Sequence, residues 1–571
     1  MFVVFEGIDG SGKTAVSNRV AKRLRAAGVA VEHVREEGEF ASSLVRRLRE
    51  FGKDARNLAM EPTAEMCFYL AREAQVLAEL TRPALAAGGG VVFADRYLYT
   101  VEVLSQVGRG LPAEVVRPAI DSVAGGLWPD LVVLLDVDPH IARARRRASK
   151  IEARGSGKTP TSGGRKGLAG VGLQRRMREG YLALAARDPD RWIVIDNGAV
   201  DAELDATVEK IVTVIQDRLA GKKNKQATGD GQQATGNRPQ EAGNPTERFF
   251  AAVEARAVKE PGVAAYLLAG LGHPVATEWR DKLKARAPHL VAYGLRGLGD
   301  QAAWRLREEL EAVSGYFVAR SIDGLDVEGE RADATRLRLA DAWPDAILAT
   351  LDGNDQPIAW ALRERLEARD ARAVVGSLKG IGSERAWELR RRLVRQAGGE
   401  PALADPLLAE PLVGSLRGLA NDEAWQLRRR CFEAAPVAAL ESLTEVTDEE
   451  SWAWRARWLE RAPRAVLRSL LRVDDRRAWE MRRRVGATVK ESLDSMAGMG
   501  SREAWALREE LCERWPSTAV KSLGPLFAGK RGRALADRAL TTRPDDLSLL
   551  KHMTALLFDA EAAVRRWEDA E

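Results

Sequence analysis

The most restrictive feature of this sequence is a pattern that recurs about every 27 residues through its C-terminal part. The unit opens Ala-Trp-x-Leu-Arg and later reads Ser-Leu-x-Gly-Leu. Its first half stands around Trp304, Trp360, Trp387, Trp425, Trp479 and Trp505, with looser copies at Trp279, Thr335, Trp452 and Leu535. Its second half stands at residues 321–325, 377–381, 415–419 and 495–499, with degenerate copies at Ser442 and Ser469. Trp360 and Trp387 are 27 residues apart, and so are Trp425 and Trp452. The longer gap from Trp387 to Trp425 carries an insertion at residues 398–408. Each period has room for two short helices with one apolar stripe apiece. One such pair cannot bury its stripes alone, so neighbours must stack.

This predicts an all-α solenoid of helical pairs over residues 247–571, which resembles a HEAT-like array. The recurring Trp is read as core between repeats. The arginines at fixed offsets behind it, as in residues 390–392 and 428–430, are read as a solvated face, with a basic concave surface for phosphates as the alternative.

Residues 1–218 follow a different rule. Short apolar runs at 2–5, 29–34, 91–94, 131–135 and 192–195 alternate with helical stretches such as 13–27 and 64–87. Continuous apolar strands separated by helices predict a parallel sheet covered on both faces. Between the two zones, residues 219–246 are rich in Gly, Gln, Asn and Thr and nearly lack large apolar residues. That composition predicts a flexible linker.

Composition excludes other classes. No apolar run reaches the ~18 residues that a membrane span needs, and Met1 leads straight into the first apolar run, so a cytoplasmic protein without a signal peptide is expected. The three cysteines, Cys67, Cys431 and Cys512, lie far apart and outside metal-ligand spacing, which argues against disulfides and zinc. Net charge is +5, from 88 basic and 83 acidic residues. Charges that nearly balance leave a nucleic-acid partner open. Basic density is local, at Arg143, Arg145, Arg146, Arg147, Lys150 and Arg154.

Chemistry concentrates near the start. Gly7-Ile8-Asp9-Gly10-Ser11-Gly12-Lys13-Thr14 matches G-x-x-x-x-G-K-[ST] between a strand and a helix. Glycines let backbone N–H groups face a phosphate, and the helix N-terminus adds positive field. Lys13 then reaches the β- and γ-phosphates of ATP, and the Thr14 hydroxyl meets Mg²⁺. Asp95, at the carboxyl end of a buried strand, is placed to act on the same Mg²⁺, and Arg96 to grip an acceptor phosphate.

With these residues the chain resembles the thymidylate kinase family. Residues 5–14 are similar to that family's opening, Asp95-Arg96-Tyr97 to its D-R-Y motif, and Gly108-Arg109-Gly110 to the stretch that follows. Residues 129–139 are similar to its P-D-L…L-D-V-x-P strand, and Arg35-Glu36 to the start of its R-E-P motif. The resemblance implies a nucleoside monophosphate kinase, dTMP plus ATP giving dTDP, and a kinase-domain homodimer. It implies that Asp9 touches the acceptor sugar or Mg²⁺, that Arg35 and Arg96 bind the acceptor and that Tyr69 stacks on the base. Arg72 lies one position from the family's base-contacting Arg, where Glu73 aligns. Leu104 and Ser105 stand where the family has Tyr-Gln. Gly10 stands where some members carry a catalytic Arg. Others draw that cation from the lid, which points to Arg147 and Arg154 among residues 143–178. The Gly-Ser-Gly-Lys at residues 155–158 lacks strand and helix flanks and is not a second phosphate loop. The alternative is a nucleotide-sensing scaffold with weak or no kinase activity, whose solenoid engages a protein or nucleic acid.

Overall fold

The computed structural model describes residues 1–35, 39–53, 60–157, 171–198, 204–221, 244–325 and 329–568. They form two compact units, Met1–Ala242 and Gly243–Glu571. Most of the expected linker, residues 222–243, lies outside the described set.

The first unit is the α/β layer structure that the alternation predicts. Strands β1 (Phe2–Glu6), β2 (Val31–His33), β3 (Val91–Asp95), β4 (Leu131–Asp136) and β5 (Trp192–Asp196) pair in parallel in the order β2-β3-β1-β4-β5. Helices α1 (Lys13–Ala26), α2 (Ser43–Lys53), α3 (Pro62–Val76), α4 (Arg82–Ala86), α5 (Leu98–Glu102), α6 (Ala113–Ala124), α7 (Pro139–Gly155), α8 (Val171–Arg187) and α9 (Leu204–Leu219) surround the sheet. The helix expected over 64–87 is α3 and α4 joined by a π turn at Leu77–Thr81. One core layer joins Val3, Phe5 and Val133 of the sheet to Val16, Val20 and Leu24 of α1 and Ile211 and Ile215 of α9. Register sets Phe5 opposite Asp95 on one side and Val133 on the other. The carboxyl ends of β1 and β3 therefore open side by side, where α/β sheets bind ligands.

The second unit is all helical. Long helices such as Pro357–Leu366 and Asp422–Cys431 alternate with short ones such as Ala371–Gly376 and Pro436–Glu441. The short helices pack on one another along the array. Trp304, Trp360, Trp387, Trp425, Trp452 and Trp479 are buried, as the repeat predicts for core.

The arginine expectation holds for Arg429 and Arg430, which are exposed, and is corrected for the first Arg of each run. Arg280, Arg307, Arg336, Arg363, Arg390, Arg428, Arg455, Arg482 and Arg508 are among the largest fully buried side chains. Each stands where the repeat places the Arg three residues after Trp. Arg363 shows why water is unnecessary. Its Nε donates to Ser377 Oγ (2.9 Å), its Nη1 to Asn354 O (2.7 Å), and its Nη2 to Leu351 O (2.7 Å) and Ser377 O (3.1 Å). The Leu351 and Ser377 carbonyls follow the C-terminal ends of two successive short helices, where partial negative charge collects. The guanidinium thus ties one repeat to the next, and its face lies 5.1 Å from the Trp360 ring. Arg455, Arg482 and Arg508 repeat the pattern, and Arg428 repeats its Nε and Nη2 bonds. The same criterion shifts two looser copies. Thr277 and Asp333, not Trp279 and Thr335, hold the Trp position, three residues before Arg280 and Arg336.

The array also closes. Its last helix, Leu547–Glu568, packs against its first, Pro245–Ala257. Arg248 Nη2 donates to Pro544 O (2.6 Å), Lys551 Nζ donates to Ala269 O (2.6 Å), and the His273 and Phe558 rings lie 5.2 Å apart. The two end faces that a linear stack leaves open cover each other.

Candidate active site

The turn between β1 and α1 is built from left-handed glycines. Gly10 and Gly12 both have φ of 92°, and a Cβ on Gly12 would meet Asn197 Nδ2 at 2.8 Å. Asn197, after β5, donates from Nδ2 to Ser11 O (2.7 Å) and holds the loop from outside. Lys13 starts α1 and folds back over the loop, donating to Gly7 O (2.9 Å) and Ile8 O (2.8 Å). Burial, with Arg96 close by, pulls its ammonium down to about 7 against the opposing pull of Asp9, Glu6 and Asp95.

Asp95 accepts from Thr14 Oγ1 (2.7 Å) and from Ser17 Oγ (2.7 Å). Behind them His33 Nε2 lies 3.0 Å from Ser17 Oγ. A hydroxyl with one carboxylate beside it suits Mg²⁺, which keeps waters and takes phosphate oxygens, so a protein cage is unnecessary. No group of three or more His, Cys, Asp or Glu that could hold a metal occurs among the described residues.

Arg96 is the hub of the crevice. Its φ of 77° is a left-handed, strained conformation for a side-chain-bearing residue. Nη1 donates to Gly7 O (3.0 Å), Thr100 Oγ1 (3.2 Å) and Tyr181 OH (3.2 Å), while Nη2 donates to Asp9 Oδ1 (2.5 Å). Glu6, fully buried, accepts from Tyr97 N–H (2.9 Å) and Thr100 Oγ1 (2.7 Å) beneath it. Burial opposes the Arg96 charge, but Tyr181, Asp9 and Glu6 outweigh it and hold the group above its ordinary value. Burial would raise the Asp9 carboxyl, yet Arg96, Lys13 and Arg146 together hold it down at about 2.

A cavity of about 250 Å³ opens next to this hub, lined by Asp9, Arg35, Tyr69, Arg72, Asp95 and Arg96. The acceptor residues expected from sequence therefore share one pocket. Arg72 donates through Nε to Glu73 Oε1 (3.0 Å), and its guanidinium lies 5.1 Å from the Tyr69 ring. Arg35 lies 5.6 Å from the Phe40 ring, and burial with Arg49 alongside lowers it to about 10. Leu104 lines the pocket, and Ser105 is buried. Arg109 is turned away, paired with buried Glu65 (2.6 Å).

Both lid candidates lie at the surface. Arg147 and Arg154 are exposed on α7, whereas Arg146, one position before Arg147, is half-buried and lies 3.8 Å from Asp9. Lys158, Arg165, Lys166, Glu36 and Glu37 lie outside the described residues. Sequence reasoning missed Glu6, Ser17, Thr100 and Tyr181, and had Arg146 only as one member of a basic cluster. Glu6 had a signal, since it sits inside the Phe5-Glu6-Gly7 opening. The others come from helices with no motif of their own.

The strand order, the glycine loop and the facing Asp95 define a P-loop kinase of the nucleoside monophosphate class. The thymidylate kinase family model matches residues 5–208. The chain is 41% identical over 196 residues to the thymidylate kinase of Nitratidesulfovibrio vulgaris (strain DSM 19637 / Miyazaki F), spanning 34% of this chain and 88% of that protein. It is 36% identical over 218 residues to the thymidylate kinase of Geobacter sulfurreducens, spanning 38% of this chain and 99% of that one. A crystal structure of the thymidylate kinase from Ehrlichia chaffeensis aligns at 22% identity over 38% of this chain and 98% of its own, with a TM-score of 0.28. The chain belongs to the thymidylate kinase family.

Proposed function

We propose that the first unit transfers the γ-phosphoryl group of ATP to a nucleoside monophosphate, and that the acceptor is dTMP. The reading rests above all on one juxtaposition: Lys13 and the Thr14–Asp95 pair face the loop, and Arg96 joins that loop to a pocket carrying Arg35 and Tyr69. The acceptor's phosphate oxygen attacks the γ-phosphorus in line. A bond to that oxygen forms, the bond to the β–γ bridging oxygen breaks, and ADP leaves. Lys13 and the loop amides hold the tail, Arg96 and Arg35 hold the acceptor phosphate, and Tyr69 offers a ring face to the base. Thr14 and Asp95 would hold a magnesium ion, which would supply positive charge beside the phosphate tail.

Coupled ADP release over a panel of nucleoside monophosphates tests this. The expected result is a clear preference for dTMP that Lys13→Ala abolishes. Equal background rates for every monophosphate, matched by Lys13→Ala, would refute it and favour a nucleotide-sensing scaffold.

For the second unit the reading is a HEAT-like scaffold for a protein partner, in a cytoplasmic enzyme. Exposed array arginines pair with acids of neighbouring repeats, as in Arg338–Glu311 and Arg392–Glu367 (both 2.6 Å). Charges so neutralised supply little of the field that nucleic acid needs. A gel shift of duplex DNA by the full chain at low salt would overturn this part.

A further inference from the structure

Strand β2 alternates buried, exposed, buried, and its second buried residue is His33, not an aliphatic one. The ring is fully enclosed and stands edge-on to Phe93, with 6.0 Å between centroids. An imidazole in such a place is unfavourable unless both nitrogens find partners, and both do. Nδ1 accepts from Arg35 N–H (3.1 Å), so Nε2 carries the proton and donates to Ser17 Oγ (3.0 Å). The Ser17 hydroxyl gives its one proton to Asp95 Oδ1 (2.7 Å), since the rival acceptor, Thr14 O, is farther away at 3.4 Å. Asp95 Oδ2 accepts from Thr14 Oγ1 (2.7 Å). The donors thus run one way, from the backbone of Arg35 through the ring and the Ser17 hydroxyl to the carboxylate.

We propose that His33 is a positioning residue shared by the two halves of the site: through Ser17 it aims Asp95 at the metal position, and through Nδ1 it fixes the backbone that carries Arg35 into the acceptor pocket. This rests on the kinase reading above. A carboxylate at a strand end turns about its terminal bond unless one oxygen is held. Ser17 holds Oδ1, which keeps Oδ2 beside Thr14, and such outer hydrogen bonds orient a carboxylate that meets a metal. On the other side, Arg35 lies in the turn after β2 and lines the cavity. Its N–H finds its acceptor on the same ring. Because an imidazole is rigid and this one is packed against Phe93, the two anchors keep one separation. An aliphatic side chain at residue 33 would fill the space and supply neither bond.

The test uses the full chain in slight excess over ADP, with Mg²⁺ and dTMP titrated separately by calorimetry. It compares the wild type with His33→Leu, His33→Gln and Ser17→Ala. His33→Leu should weaken Mg²⁺ binding by about tenfold and dTMP binding by about fivefold, with ADP affinity in EDTA within about twofold of wild type. Ser17→Ala cuts only the Asp95 arm, so it should weaken Mg²⁺ and leave dTMP unchanged. His33→Gln offers one acceptor and one donor on its amide and should recover part of both affinities. If either Mg²⁺ or dTMP binds His33→Leu within about twofold of wild type, the proposal is overturned. An equal loss of ADP affinity in EDTA makes His33 a core residue alone and also overturns it. A wild type that binds neither ADP nor dTMP removes the underlying reading, and the proposal falls with it.

Discussion

Both units bury arginines, and they do so for opposite reasons. In the array, Arg363, Arg390, Arg428 and their equivalents face neutral acceptors, the hydroxyls and carbonyls at helix ends. Burial outweighs nearby acids such as Asp355, Glu423 and Asp448 and pulls each down to about 10, still far above neutral pH. In the kinase crevice Arg96 faces carboxylates on an open pocket, which holds it above its ordinary value. Its backbone is strained, and the neighbouring Lys13 is pushed the other way, down to about 7. A buried guanidinium is therefore no mark of a functional site by itself. Ionic partners that pull in different directions, strain, and access to a cavity make the difference. The array spends its charge on cohesion, and the crevice holds charge in readiness.

If that contrast holds, losing a cation should damage the two units differently. The largest effect expected is on catalysis. Lys13→Met should lower kcat by at least about 100-fold and leave the melting temperature equal or higher, because a destabilised buried charge is removed. A coupled assay with calorimetry checks both, and a sharp fall in melting temperature would break the contrast.

Arg363→Met should do the reverse. It should leave phosphoryl transfer unchanged and destabilise the array by roughly 3 kcal/mol, because buried helix-end carbonyls lose their donors. Denaturant unfolding of the full chain is the measurement, and a change near zero would show the guanidinium is replaceable packing.

The packing of the last helix on residues 516–521 should respond to acid. Burial, with Lys521 and Lys551 nearby, lowers His552 to about 4, and its ring Nδ1 lies 3.1 Å from Ser517 Oγ. An unfolded imidazole takes a proton near 6.5, roughly its unperturbed value. Between those values the unfolded chain binds more protons, so stability falls as pH falls from about 6.5 toward 4. The total is no more than about 3 kcal/mol. Melting temperatures from pH 7 to 4.5 should drop less steeply in His552→Asn than in the wild type, and parallel slopes would dismiss the idea.

The smallest effect concerns backbone. Glu445 has φ of 67°, at the repeat position where Gly380 (76°) and Gly418 (75°) stand. That conformation costs a side-chain-bearing residue about 1 kcal/mol, so Glu445→Gly should stabilise the array by about 0.5 kcal/mol after the added freedom of the unfolded chain. Denaturant midpoints check it, and destabilisation would show that the Glu445 side chain contributes.

Much of this was readable in advance. The parallel sheet, the glycine loop with Lys13 and Thr14, and the strand-end Asp95 follow from patterns local in sequence. So does the stacking of Trp-bearing helices. The arginines were misjudged because three in a row, as at residues 428–430, look alike in sequence, yet Arg428 points inward while Arg429 pairs with Glu450 in solvent. Helix phase relative to the neighbouring repeat decides between them. Arg146 and Arg147 differ in the same way on α7.

The sequence by itself determined the period of the array, the strand, glycine loop and helix at residues 2–26, and the residue types that line the pocket beside Arg96, because hydrophobic spacing and glycine requirements act over a few residues. Tertiary structure alone decided which arginines are buried, that Arg248 meets Pro544 and Asp545 to close the array, and that Arg146 crosses Gly10. Apart from the repeat's Ser hydroxyl, the acceptors in the array are backbone carbonyls, which every residue has and no side-chain pattern reveals, and the seam joins positions almost 300 residues apart, 297 between Arg248 and Asp545.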